Sequence, residues 1–281
     1  LPLAYLLLRA AAAPPAAWAQ LVQPRTLAIM ANSALLAVAV TASSIALALP
    51  LAWLLVRTDL PGRRVWTVLL ILPLVVPSYV GAFSLLAMFG PKGIVQGWLA
   101  PLGVERLPEI YGLPGAWLTL TLFTYPYVLL TLRAGWRRLD ASLEEAGRSL
   151  GHGPWSVFRR VTLPHLRPSI AAGGLLVALY TLSDFGAVSL LRANVFTQAI
   201  YTQYRSSFDR SYAALLSLVL VAATLAILWA EQRARGRAQI SRAHGSSSRP
   251  LKTIQLGRWR WLALAFAAAV ALLALALPVG V

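Results

Sequence analysis

Apolar runs long enough to cross a bilayer recur along this chain, and they leave few folds open to it. A helix needs about 20 such residues to span roughly 30 Å of hydrocarbon. Runs of that length cover residues 32–56, 65–89, 113–132, 170–191, 211–230 and 259–281. The opening LPLAYLLLRA is shorter and reads as the tail of a span that begins earlier. The last run stops in apolar sequence at Val281, so the chain is expected to be a piece of a longer protein. The expected fold is an all-α polytopic membrane protein embedded in the lipid bilayer.

Composition agrees. The 281 residues are 58% hydrophobic and 12% charged, where soluble domains carry about a quarter charged residues. A net charge of +16 raises the question of nucleic acid. However, Lys and Arg sit in short clusters between apolar runs, which is the positive-inside pattern, so no nucleic-acid partner is expected. Three basic residues lie in the turn RTDLPGRR, seven between Arg133 and Arg167, and eight between Arg233 and Arg260. These make 18 of the 25 and put all three segments on the cytoplasmic side of the membrane. There are no cysteines, and His152, His165 and His244 fall outside the apolar runs, so no metal site is expected.

The segment from Asp140 to Pro168 spends charge, glycine and proline between two apolar runs. Asp140 is placed to cap a first helix that has Glu144 and Glu145 near its start. Gly151 falls where a left-handed C-cap belongs. Gly153-Pro154 restarts a helix, and Pro164 and Pro168 are expected to stop it before the next span. On this second helix Trp155, Phe158 and Thr162 share a stripe, with Val157 and Val161 beside it and Arg159 and Arg160 facing elsewhere. Such a helix either rests on lipid headgroups or is presented to a cytosolic partner.

The spacing then carries a resemblance. Glu145-Ala146-Gly147, three residues, Gly151, nine residues, Val161, one residue and Leu163-Pro164 resemble the EAA loop of ABC importer permeases. That pattern is Glu-Ala-Ala, then Gly, Ile and Leu-Pro at the same intervals. Gly147 for the second Ala, which adds flexibility, and Val161 for Ile are the departures. The resemblance implies the transmembrane domain of a type I ABC importer, with this loop as coupling helix on a cytosolic ABC ATPase dimer. Glu145 and Gly151 would shape the loop, and Trp155 and Phe158 are expected to make contact or pack. No Walker A loop is present, so the chain is expected not to be an enzyme, with ATP and Mg on the partner and no cofactor here.

LAWLLVRTDLPGRR, FGPKGIVQGWL and the stretch from Thr181 to Ala214 resemble the first half of double-length iron(III)-type permeases. The resemblance implies two fused halves of about six spans each and a separate extracytoplasmic substrate-binding protein. Residues 1–31 would then close a first span and add a periplasmic segment. Residues 32–231 would form the permease domain with its loop at 140–168, 232–258 a basic cytoplasmic linker, and 259–281 the first span of the second half. Leu1-Pro2-Leu3 and Leu277-Pro278-Val279 are candidates for one point in two repeats. Thiamine and phosphonate permeases share these features and stand as alternative substrates. An ion-coupled secondary transporter is the alternative class, and it leaves the loop without a purpose.

Asp184 is the one acid within a run. A carboxylate there marks the passage, together with Thr181 and Ser183, or has a structural role at the outer end of its span, bonded to Ser183 or a neighbouring helix. The structural role is the first expectation. Pro73, Pro77 and Pro126 are static bends before they are gates. Gly173-Gly174 is expected to let two helices approach closely. Tyr201, Tyr204 and Arg205 belong to an interface belt or a binding-protein contact.

Overall fold

The computed structural model describes residues 2–91, 93–103, 108–206, 210–236 and 253–279. Most of the expected basic linker, residues 237–252, lies outside them. The described chain is almost wholly helical. It begins with α1 (Pro2–Ala11), α2 (Pro15–Gln20), α3 (Pro24–Arg57), α4 (Arg63–Ile71), α5 (Ser78–Phe89) and α6 (Ile94–Leu99). It continues through α7 (Leu113–Arg137), α8 (Ala141–Ser149), α9 (Pro154–Val157), α10 (Leu163–Ser183) and α11 (Gly186–Leu190). Finally come α12 (Phe196–Ser206), α13 (Ser211–Gly236) and α14 (Arg260–Val279). Among the described residues, six helical stretches are long and apolar enough to cross a membrane.

The hub of the bundle is α7. Of its apolar window 72% is buried, against 22–35% in the other five stretches. It packs on α3 and α10, and those two pack on each other. Tyr125 and Trp136 of α7 are fully buried, with Leu51 of α3 and Leu166 of α10 in the same cluster. The remaining helices lie outside this trio. α13 packs on α1 and α12, and α14 packs on α4, α5 and α7.

Two expected spans are interrupted. The run 65–89 is α4, a 3-10 turn at Leu72–Val75 and α5, because neither Pro73 nor Pro77 can donate to a helical ladder. At the end of α4 the Tyr125 hydroxyl donates to the Leu70 carbonyl at 2.9 Å. The run 170–191 also divides: α10 ends at Ser183 and the short α11 follows.

The stop expected at Pro164 and Pro168 is absent. A π turn at Phe158–Thr162 joins α9 to α10, and the Leu163 N–H reaches back to the Phe158 carbonyl. This wider turn comes just before the missing N–H of Pro164, so the chain stays helical from Pro154 to Ser183. Pro50, Pro126 and Pro168 likewise sit inside continuous helices.

Gly173 is where α10 meets α7. A Cβ there would lie 2.4 Å from Thr131 Oγ1 and 2.7 Å from the backbone Cα of Val128. Gly173→Ala is expected to destabilise the protein by about 1–3 kcal/mol, read as a lower midpoint of thermal unfolding in detergent. Gly97→Ala, with open space around it, should leave that midpoint unchanged.

Candidate functional site

The basic segment between α7 and α10 is built from local rules. The Asp140 carboxylate accepts from the Ser142 N–H at 2.9 Å and caps α8. At the other end Gly151 has φ +80°, the Gly151 N–H donates to the Arg148 carbonyl at 2.9 Å and the His152 N–H to the Gly147 carbonyl at 3.2 Å. That bond pair is a Schellman C-cap, which wants a residue without Cβ at Gly151. Pro154 then opens α9 at the position where a missing N–H costs nothing.

Gly147 is buried against the second helix. A Cβ on it would meet Val157 Cγ2 at 3.2 Å and Val161 Cγ2 at 3.7 Å. Glycine here brings α8 and the α9–π segment close together, in place of the flexibility expected of it. Glu145 is half-buried and Ala146 exposed, while Val161, Leu163 and Pro164 are half-buried where the π turn passes into α10. Trp155 stacks on Phe158 with ring centroids 5.4 Å apart. Trp155 is nevertheless 72% exposed and Leu150 78%, so two large apolar side chains stand out at the tip of the loop. Leu150 escapes sequence reading because it lies off the stripe of the second helix, on the last residue before Gly151.

The residue that ties the loop to the bundle is Glu144, which a dipole argument treats only as a helix-start charge. It is buried, as are its partners Arg57 and Thr162. Arg57 Nη2 donates to Glu144 Oε2, and Thr162 Oγ1 donates to Oε1 at 3.0 Å. Arg148, half exposed, adds a longer approach at 3.7 Å. The end of α3, the first loop helix and the π turn thus share one carboxylate. Beside this cluster lies a groove of about 550 Å³ whose lining includes Pro50, Trp53, Trp136 and Phe158. The Arg57–Gly62 turn is held from a second side, where the Ile254 N–H donates to the Arg57 carbonyl at 2.7 Å and the Leu256 N–H to Asp59 Oδ1 at 2.8 Å.

Thr181, Ser183 and Asp184 do not converge. The Thr181 hydroxyl donates to the Val177 carbonyl at 2.8 Å and that of Ser183 to the Tyr180 carbonyl at 3.0 Å. Asp184 is buried at the break between α10 and α11. Its Oδ2 accepts from the Ala187 and Val188 N–H groups at 3.0 and 3.3 Å, capping α11, and the Ser78 side chain also bonds it. Outside the bundle, Arg205 lies over the Tyr201 ring and Arg210 over Tyr204.

A multi-pass helical bundle carrying a rigid, charged helix–turn–helix on its basic side is the plan of a transporter's membrane component. The chain belongs to the family of binding-protein-dependent transport system inner membrane components, which matches residues 26–235. It is 34% identical over 261 residues to the Fe(3+)-transport system permease protein FbpB 2 of Haemophilus influenzae, covering 92% of this chain and 48% of that protein. It thus spans about half the length of that relative. It is 31% identical to the molybdenum transport system permease protein ModB of Escherichia coli, over 73% of this chain and 93% of ModB. The sulfate permease CysT of the same species is 29% identical over 64% of the chain and 65% of CysT. Among solved structures, a bacterial ABC transporter involved in alginate import shares the fold with a TM-score of 0.68 at 16% identity, over 84% of this chain and 88% of that one. The chain is therefore a multi-pass permease component of the inner membrane, a transport part and not an enzyme.

Gly151→Val places a branched side chain at positive φ and costs about 1–2 kcal/mol. Tryptic cleavage at Arg148 in the detergent-solubilised protein should accelerate by about tenfold, the factor that 1.4 kcal/mol represents. Gly153 has φ −65° and nothing near its Cβ position. Gly153→Val should therefore stay within about twofold of the parent rate.

Proposed function

We propose that this chain is the N-terminal half of a double-length permease for iron(III) in an ATP-driven ABC importer. Its cytoplasmic loop serves as the coupling helix, and residues 259–281 as the first span of the second half. The observation that carries the double-length reading, and with it the preference for the iron(III) permease as the pattern, is coverage. ModB is matched almost from end to end by 73% of this chain, whereas the likeness to FbpB 2 runs through 92% of it and still fills only half of that protein. A chain of one permease half plus the start of another explains both shares.

On this reading Glu145, Ala146, Gly147, Gly151, Val161, Leu163 and Pro164 hold the loop's shape, and Trp155 and Phe158, joined by Leu150, meet a nucleotide-binding subunit. Closure of an ATPase dimer moves the two loops of a full transporter, and a loop without slack transmits that motion as a rigid-body switch. Iron is substrate and passes between spans. Its selection lies with an extracytoplasmic binding protein, and Thr181, Ser183 and Asp184 act near the passage only if the α10–α11 break moves. Molybdate or sulfate is the second reading, favoured by the likeness to ModB and CysT.

The protein contains no native cysteine in this half. Trp155→Cys, with any cysteine elsewhere in the full-length protein removed, is expected to cross-link in membranes to a subunit that mass spectrometry identifies by its P-loop sequence. Capture of lipid alone would defeat the coupling role. Uptake into proteoliposomes loaded with the matching binding protein should be seen with iron(III); uptake of molybdate, sulfate, a phosphonate or thiamine in its place would overturn the iron assignment.

A further inference from the structure

Burying a carboxylate and a guanidinium is costly, and replacing such a pair by apolar groups of similar size often stabilises a protein. Arg57 and Glu144 are nonetheless 4% and 6% exposed, at the point where the loop joins the bundle. Apart from Thr162 and the half-exposed Arg148, the groove they border is lined by apolar side chains, among them Pro50 and Trp53 on α3, Trp136 on α7 and Val157 on α9. The carboxylate has both oxygens in use, one on α3 through Arg57 and one on the π turn through Thr162. Glu144 itself rides on α8. Three elements that are separate in sequence therefore meet on one side chain; α3 is a member of the central trio around α7, and the π turn runs directly into another member, α10.

The geometry points to a role in coupling: we propose that Arg57 and Glu144 are positioning residues that pin the loop to α3, so that a displacement of the loop moves α3 and α10 as one body. The pin acts through the loop and does not touch nucleotide or substrate. Without it α8 keeps the chain on either side and its packing on the α9–π segment, where Gly147 lies against Val157 and Val161, and part of a push on the loop is absorbed by its own bending. The proposal rests on the loop being the ATPase-coupling element.

The test uses the full-length permease with its ATPase and binding protein in proteoliposomes, in three variants. Glu144→Gln keeps the shape and an acceptor for Thr162 but removes the charge; Arg57→Lys keeps the charge with a different reach; Arg57→Met with Glu144→Leu removes the buried pair together. For Glu144→Gln the expected result is transport reduced at least tenfold while ATP hydrolysis stays within twofold of the parent, so that the ratio of transported substrate to ATP falls. Arg57→Lys should recover part of that ratio. The double variant should assemble at parental yield and remain uncoupled, which separates coupling from folding. A nitroxide at Ser149→Cys, read with the permease alone, should become more mobile in Glu144→Gln and in the double variant. Transport and hydrolysis falling in step with the amount of assembled complex, or a double variant that transports at the parental ratio, would overturn the proposal. An unchanged nitroxide spectrum would also overturn it. If the parent protein recruits no ATPase, the coupling reading fails, and the nitroxide result still decides whether Glu144 holds the loop.

Discussion

Hydrocarbon offers no water to a backbone N–H or C=O, so each place where a helix of this chain is broken has to be closed from within. The architecture follows from how that is done. Where α4 gives way to the 3-10 turn, the Leu70 carbonyl accepts from the hydroxyl of Tyr125, fully buried on the central helix. The start of α11 is closed by the Asp184 carboxylate, which accepts from two of its N–H groups. Pro164 is met by a widened turn in place of an interruption. Each repair uses a side chain or a turn that also fixes the direction of the next element.

The loop on the basic side obeys the same accounting at higher density. A capped N-terminus, a left-handed glycine, a proline at a helix start and a glycine that lets two helices touch remove nearly every soft point between Asp140 and Thr162. What local rules cannot supply is attachment to the bundle, and the Glu144 carboxylate supplies it. Rigidity within the loop and attachment at its base are separate requirements for a lever, and here they come from different residues.

Much of this was legible in the residues themselves. Asp140, Gly151 and Gly153-Pro154 announce their conformations because caps and turns are decided by neighbours a few positions away. Apolar runs announce the spans, although not their ends: α3 extends back to Pro24, and two runs are split. The spacing of Glu145, Gly151, Val161 and Leu163-Pro164 points to the transporter class, which the family match over 26–235 bears out. The Arg57–Glu144 pair was not legible, because its members are 87 positions apart and a charge at the end of an apolar run looks like any interfacial arginine. Pro164 and Pro168 misled for a related reason. Proline reads as a helix stop when only α-helical geometry is considered, and the π turn that accommodates it leaves no mark in the sequence.

The central claim is that the loop and the inner helices move as one body when ATP binds. Nitroxides at Ala46→Cys on α3 and Ser149→Cys on α8, in the full-length transporter with its ATPase, measure it directly by double electron–electron resonance. The account predicts that the distance distribution between them keeps its centre and width in the ATP-bound and ATP-free states, while the distance from Ala46 to its counterpart in the second half changes. A shift or broadening of the Ala46–Ser149 distance on ATP binding, with α3 stationary, would contradict it.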